Sequence, residues 1–292
     1  MIRQMVDLPS NLHLGTSSFS TTDWIGPFYP PGMKPTDFLR FYATKFGSVE
    51  VDSTYYHAPS LQMTRKWADV TPPDFRFSLK VPQTITHEKA LSGCEREWGD
   101  FLRSVDPLGK KLVYLVLQFP YWNRKSAIPD LATFMKRLEG FMALAKSPYR
   151  IVVETRNPKW ITKELLDLLK EKRLILALQD QQWMPRPKEL WEKWGMDLKT
   201  GESIYIRMLG ERERIEKLIA ERKADEEKRK VDVTPEWSTI VIDRTEQTRD
   251  WMPMVRKFLA HSVECDIYYN NHYAGHGPAS IELFLKLYAE TV

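Results

Sequence analysis

RIVVETRNPKWITKELLDLLKEKRLILALQD, residues 150 to 180, places two β-rich runs, RIVVET (150 to 155) and LILALQD (174 to 180), at the ends of a segment long enough to cross back over a sheet. Two strands that run the same way need a connection of about a dozen residues or more, so this stretch reads as a pair of parallel neighbours. The same alternation extends outward in both directions. Six further runs are LHLGT (12 to 16), SVEVDS (48 to 53), FRFSLKV (75 to 81), LVYLVLQF (112 to 119), SIYIRML (203 to 209) and DIYYNN (266 to 271). Between them lies helical spacing, as in Phe134, Leu138, Phe141, Met142 and Ala145, or in Ile281, Phe284, Leu285 and Tyr288. Eight such units predict an α/β fold, a single eight-stranded parallel β/α barrel of TIM type with its working site at the carboxyl ends of the strands. The competing open, doubly wound sheet carries a glycine-rich first turn, and Gly15-Thr16-Ser17-Ser18 is not G-x-G-x-x-G.

A chain of 292 residues suits one barrel with insertions, so one domain over residues 1–292 is expected. The rhythm breaks at ERERIEKLIAERKADEEKRK (211 to 230), directly after the seventh strand. Only Ile215, Leu218 and Ile219 form an apolar stripe there. That pattern predicts a charged helical insertion, mostly exposed, laced with i,i+4 ion pairs and dispensable for folding. Its place in a βα loop also makes it a candidate lid or partner-binding arm.

Composition narrows the function classes. Hydrophobic residues at 42% and charged residues at 28% match a globular chain and argue against disorder. No apolar run approaches the roughly 18 residues of a membrane span, so no membrane partner is expected. The amino-terminal MIRQMVDLPSNLHLG lacks the apolar stretch of a signal peptide, which predicts a cytoplasmic protein. Cys94 and Cys265 are too few and too isolated for a disulfide framework or a zinc site. A net charge of +4 tolerates an anionic small-molecule ligand without the clustered excess of a nucleic-acid surface, so nucleic acid is not the favoured partner.

Alternation along a strand sends residues i and i+2 to one face. With Val49, Val51, Phe75, Phe77, Leu79, Val81, Ile151, Val153, Ile204, Ile206 and Met208 facing the helices, Glu50, Asp52, Arg76, Ser78, Lys80, Glu154, Tyr205 and Arg207 face inward, with Arg156 just beyond the fifth strand. Gln118, Asp180 and Asn270 or Asn271 stand at the exit ends of theirs. Unpaired ions inside a barrel would cost several kcal/mol each. Four acids (Glu50, Asp52, Glu154, Asp180) face four bases (Arg76, Lys80, Arg156, Arg207), so a closed network is arithmetically available. It serves either to fix register or to contact a polar, anionic ligand.

At these residues the sequence resembles the domain of unknown function 72 family over nearly the whole chain. The motifs are Gly15-Thr16-Ser17 with Trp24 and Phe28-Tyr29-Pro30, VEVDSTYYHAP (49 to 59), TPPDFRFSLKVPQTITH (71 to 87), Glu154-Thr155-Arg156 with Trp160, Arg207 with Gly210, and Asn270-Asn271 with Gly275. The resemblance implies a β/α barrel whose activity is not established. By position it implies Lys80, His87, Glu154, Arg156, Asp180, Arg207 and Asn270 as site residues. Asp52 stands where the family often has Asn, and Leu209 and Asn157 where it often has His, which weakens any metal or general-base role at those last two positions.

No nucleophile elbow, Walker loop, H-E-x-x-H or cysteine-rich metal motif is present. The reading that remains is an enzyme, a hydrolase by preference, acting on a phosphate- or sugar-containing ligand, with Glu154, Asp180 and His87 as acid–base groups and Lys80, Arg156, Arg207 and Asn270 as ligand-binding residues. One alternative is a divalent-metal phosphoesterase acting on nucleic acid or a phosphorylated small molecule, using Glu50, Glu154 and Asp180 with His87 or His272; another is a non-catalytic binding or scaffold protein. Aromatic residues in the same loops, Tyr55, Tyr56 and Trp122 among them, read as packing plugs with two or three able to stack on a sugar or base. In barrels a phosphate commonly sits at the loops after the seventh and eighth strands. Gly210 and Gly275-His276-Gly277-Pro278 occupy those places, which makes Gly210, Gly275 and Gly277 candidate anion-binding positions beside Arg207.

Overall fold

A computed structural model of the protein describes residues 8–290. Residues 1–7, which carry part of the stretch read above for a signal peptide, lie outside the described residues. Eight strands form: β1 (Leu12–Thr16), β2 (Ser48–Val51), β3 (Arg76–Lys80), β4 (Leu112–Gln118), β5 (Arg150–Glu154), β6 (Ile175–Gln181), β7 (Ser203–Gly210) and β8 (Glu264–Tyr269). Among the described residues ten α-helices accompany them: α1 (Phe38–Tyr42), α2 (Leu61–Val70), α3 (Glu95–Val105), α4 (Leu131–Leu144), α5 (Lys163–Glu171), α6 (Pro187–Trp194), α7 (Arg212–Arg229), α8 (Thr245–Ala260), α9 (Asn271–Ala274) and α10 (Gly277–Glu290). All eight expected runs are strands of one sheet, in the order β1-β8-β7-β6-β5-β4-β3-β2. The pairings β1–β8, β3–β4, β4–β5 and β5–β6 are parallel. The fold is an eight-stranded α/β barrel of TIM type.

Contacts are densest within two compact units, Met1–Val49 with Gln179–Glu189 and Ile206–Val292, and Glu50–Leu178 with Leu190–Tyr205. Their limits fall inside β2, β6 and β7.

In the first unit β1 pairs with β8 from Leu12↔Cys265 to Thr16↔Tyr269. The other flank of β1 meets Ser48 at the start of β2. A Cβ on Gly15 would lie 2.3 Å from the Ser48 carbonyl oxygen, so only glycine permits this approach. The buried Tyr42 hydroxyl then joins the two strands, accepting from the Thr16 N–H (2.9 Å) and donating to the Ser48 carbonyl (3.0 Å). Thus the two ends of the strand order meet through a side chain. Tyr29 and Phe38 stack 4.1 Å apart against this corner.

The insertion forms α7, starting one residue after its expected onset. Its stripe packs as expected: Ile215 and Ile219 are buried with Ile242, and Leu218, Trp237 and Val241 close around them. The remaining charged face is largely exposed, with i,i+4 pairs such as Arg212–Glu216 at 2.7 Å. An anchor that the pattern does not reveal lies just before it, where Glu211 accepts from the buried Arg244 side chain at 2.8 Å.

In the second unit β4 and β5 are in register from Tyr114↔Arg150 to Gln118↔Glu154. The helix-facing residues Phe75, Phe77, Leu79, Ile151 and Val153 are buried. Caps fix the helix starts: Asp130 accepts from the Thr133 N–H for α4, and Thr162 accepts from the Leu165 N–H for α5.

Candidate functional site

The second unit assembles a charged group at the carboxyl ends of its strands. Lys80 is the last residue of β3, and Asp52 follows β2 directly; the Lys80 Nζ lies 2.9 Å from Asp52 Oδ1. The same ammonium stands 5.7 Å from the Tyr55 ring centre, a cation–π contact. Glu154 ends β5 and is wholly buried. Arg156 reaches back to it with Nε alone, 3.2 Å from Oε1. Its guanidinium keeps both Nη groups without a partner among the described residues, on a side chain 30% exposed.

His87 lies in a wide turn, Thr84–Glu88, whose bonds skip five residues. Turns of this kind are frequent at functional sites. The turn ends on Ala90 and Leu91, both at positive φ and both buried, so packing holds a backbone that L-residues resist by about 1–2 kcal/mol each. His87 Nδ1 contacts the Thr86 hydroxyl at 2.8 Å, and the ring meets Tyr55 edge-on at 5.1 Å. Burial first, and then the positive charges of Arg156 and Lys80, push the imidazole pKa down to about 4 against the opposing pull of Glu154. At neutral pH His87 is therefore an uncharged ring beside two cations.

Below this group the interior is polar in layers. The Tyr205 hydroxyl donates to Glu50 Oε2 (2.6 Å) and pairs with Ser78 Oγ (2.6 Å). Glu50, Ser78 and Tyr205 thus face inward, as the alternation predicts. One layer lower the Tyr114 hydroxyl meets Ser203 Oγ at 2.9 Å and accepts from Arg76 at 3.3 Å and Arg150 at 3.4 Å. Arg76 therefore belongs to the amino end of β3. Arg76 and Lys80 are the first and last residues of a five-residue strand, and only Lys80 is at its carboxyl end.

The first unit holds Asp180, Arg207 and Asn270. Asp180 is buried near the end of β6 and accepts from the Trp251 indole N–H at 2.8 Å; Arg186 approaches to 3.9 Å and bonds Asp250 at 2.8 Å. Burial outweighs these partners and raises the Asp180 pKa. Arg207 is wholly buried. Asn270 caps α9, its Oδ1 accepting from the His272 N–H (3.0 Å) and contacting His272 Nδ1 (2.7 Å). His272 Nε2 in turn lies 3.4 Å from Glu216 on α7, and its ring 4.7 Å from Trp237. Trp251, Arg186 and Arg244 carried no sequence signal, since each acts on a partner far away in the chain.

The glycines of the expected phosphate loops serve the chain's own packing. At Gly210 a Cβ would meet the His272 carbonyl at 2.6 Å, and at Gly275 the Thr239 carbonyl at 2.4 Å; both have positive φ. At the start of α10 the Gly277 N–H donates to Asn271 Oδ1 (3.0 Å), Pro278 has none to give, and the Ala279 N–H donates to His276 Nδ1 (3.2 Å). These N–H groups are already satisfied within the chain.

Among the described residues no group of three or more His, Cys, Asp or Glu is placed to hold a metal ion. Among them too, no helix is long and apolar enough to cross a membrane. Cys94 and Cys265 are buried free thiols.

Fold and site together define a β/α-barrel protein with ionised side chains gathered at strand ends. The chain belongs to the family described as protein of unknown function DUF72, whose model matches residues 13–292. It is 32% identical over 125 residues to the UPF0759 protein YecE of Escherichia coli K12, covering 43% of each chain. It is 28% identical over 117 residues to the UPF0759 protein YunF of Bacillus subtilis, covering 38% of this chain and 40% of the relative. The matched stretches thus span less than half the length of these relatives. A crystal structure of a DUF72 family protein from Thermotoga maritima superposes with a TM-score of 0.70 at 25% identity, covering 96% of this chain and 99% of that one. A family member from Enterococcus faecalis gives 0.70 at 22% identity, covering 95% of both, and shares the fold.

Proposed function

We propose that the group at the ends of β2, β3 and β5 binds the anionic part of a small polar ligand and that His87 acts on that ligand as a general base, in a hydrolase-type reaction. The observation that carries this reading is the state of Arg156. Its Nε is pinned by the buried Glu154, while its Nη fork is unpartnered among the described residues and partly exposed. A guanidinium held on one edge presents the other in a fixed plane, the geometry that suits bidentate recognition of a carboxylate or phosphate. Lys80 adds a second positive charge, and the neutral His87 ring can accept a proton at neutral pH. Glu154 is a positioning residue in this scheme, because it is wholly buried and holds the arginine Nε.

The test is a thermal-shift titration with inorganic phosphate on the wild type and on Arg156→Ala. Phosphate is expected to raise the melting temperature of the wild type. The variant should bind roughly 10- to 100-fold more weakly, since a hydrogen bond to a charged group is worth about 1.5–3 kcal/mol. Equal shifts in the two proteins would refute the reading.

A further inference from the structure

The buried polar atoms of the first unit that have no partner among the described residues include Ser17 Oγ, Trp24 Nε1 and His276 Nε2. Their residues are 2%, 1% and 5% exposed. A donor buried without an acceptor costs about 1–3 kcal/mol, so three in one region call for an explanation.

Trp24 and His276 stand at the amino end of α10, and Ser17 follows Thr16, whose methyl reaches the same place. The Trp24 and His276 rings are edge to face with centres 5.9 Å apart. From the position a Cβ would take on Gly277, Thr16 Cγ2 is 3.0 Å away and Trp24 Cζ2 is 3.4 Å away. Cζ2 is on the indole edge that bears Nε1, so that edge faces the start of the helix. Ser17 follows Thr16 and is tied to the end of β8 by its N–H, which donates to the Tyr269 carbonyl at 3.0 Å.

The tautomer of His276 follows from its neighbours. Nδ1 accepts from the Ala279 N–H at 3.2 Å, so in the neutral ring the proton is on Nε2. Burial alone lowers this histidine's pKa, to about 4, which keeps the ring neutral. The indole and imidazole nitrogens are then both donors. Two donors cannot satisfy each other, so each needs an acceptor. The serine hydroxyl can add a third hydrogen bond.

We propose that Trp24 Nε1, His276 Nε2 and Ser17 Oγ form an oxyanion subsite that takes a carboxylate or phosphate group at the amino end of α10. The helix end supplies a partial positive charge. Its first backbone N–H groups are occupied, so side chains do the binding. Neutral donors at a helix start hold an oxyanion without bringing a counter-charge into the fold. This subsite shares no residue with the group that holds Arg156 and Lys80.

The indole N–H resonance of Trp24 reports on the subsite directly. It is assigned by its loss in Trp24→Phe or, should that variant not fold, by its through-space contacts to the His276 ring. Inorganic phosphate and acetate are titrated separately into the full chain, and the one that moves the resonance identifies the anion. A saturable shift with either is expected, reduced several-fold in affinity in Ser17→Ala. The same shift is expected in Arg156→Ala, so failure of the Arg156 reading leaves this result unchanged. A resonance that neither anion moves would mean that the donors are satisfied by solvent alone, and would overturn the subsite. So would a wild-type shift that vanishes in Arg156→Ala.

Discussion

Arg156 touches Glu154 through a single nitrogen, Nε at 3.2 Å from Oε1, and this one bond couples a fully buried acid to a cation at the surface of the site. Glutamine at 154 can still accept from Nε, but without its charge. Glu154→Gln should therefore fold, lose about 1–2 kcal/mol of stability in urea unfolding, and bind phosphate several-fold more weakly. An unfolded variant would show that the acid holds the fold together, and unchanged phosphate affinity would show that it does not position the arginine.

His87 provides a titration that a ligand should move. Free, its imidazole is pushed down to about 4 by burial and by Arg156 and Lys80. An anion placed between these cations would cancel part of their effect, so the midpoint followed by NMR should rise when phosphate is added. A midpoint that stays in place would separate His87 from the anion site.

Acid should destabilise the protein through His276. Its folded pKa of about 4 is below the ordinary value of 6.5, so the unfolded chain takes up a proton first as the pH falls. The associated stability is fully present above pH 6.5 and is lost as the pH drops toward 4, to a limit of roughly 3 kcal/mol. Urea midpoints measured at pH 7 and pH 5 should fall in the wild type and fall less in His276→Gln.

Asp180 has the opposite sign. Burial raises its pKa against the help of Trp251 and Arg186, so its charged form is the strained one and its penalty is relieved as the pH falls through the raised value. Asn keeps an oxygen to accept from the Trp251 indole. Asp180→Asn should leave the melting temperature at pH 7 equal or higher. A fall of more than about 2 kcal/mol in stability would show that the carboxylate and Arg186 hold the end of β6 together.

Gly15→Ala tests closure of the barrel. The added carbon would sit 2.3 Å from the Ser48 carbonyl oxygen, which is backbone and cannot swing away. A cost of about 3 kcal/mol or more is expected from chemical denaturation. Wild-type stability would mean that β1 and β2 can part without penalty.

The eight strands and the insertion were legible because they rest on local order. FRFSLKV alternates with period two, so Ser78 and Lys80 had to face one way and Phe77 and Leu79 the other, whatever surrounds them. The apolar stripe of Ile215, Leu218 and Ile219 fixed the docked side of α7 in the same manner. Lys80, His87, Glu154 and Arg156 were named from their places at or beyond strand ends and from family resemblance, and the second unit gathers them. What alternation could not supply was the partner. Arg76 and Lys80 share a face, yet one is at the amino end beside Tyr114 and the other pairs with Asp52. Asp180 meets Trp251, 71 residues away, and Glu211 meets Arg244, 33 residues away. The meaning of the glycines was also decided in three dimensions. Sequence permits a ligand or the chain itself to approach Gly210 and Gly275, and the backbone at His272 and Thr239 takes that space. Periodicity is a property of neighbouring residues and survives in the sequence; a hydrogen bond between distant residues exists only once the intervening helices and turns have fixed where each side chain ends.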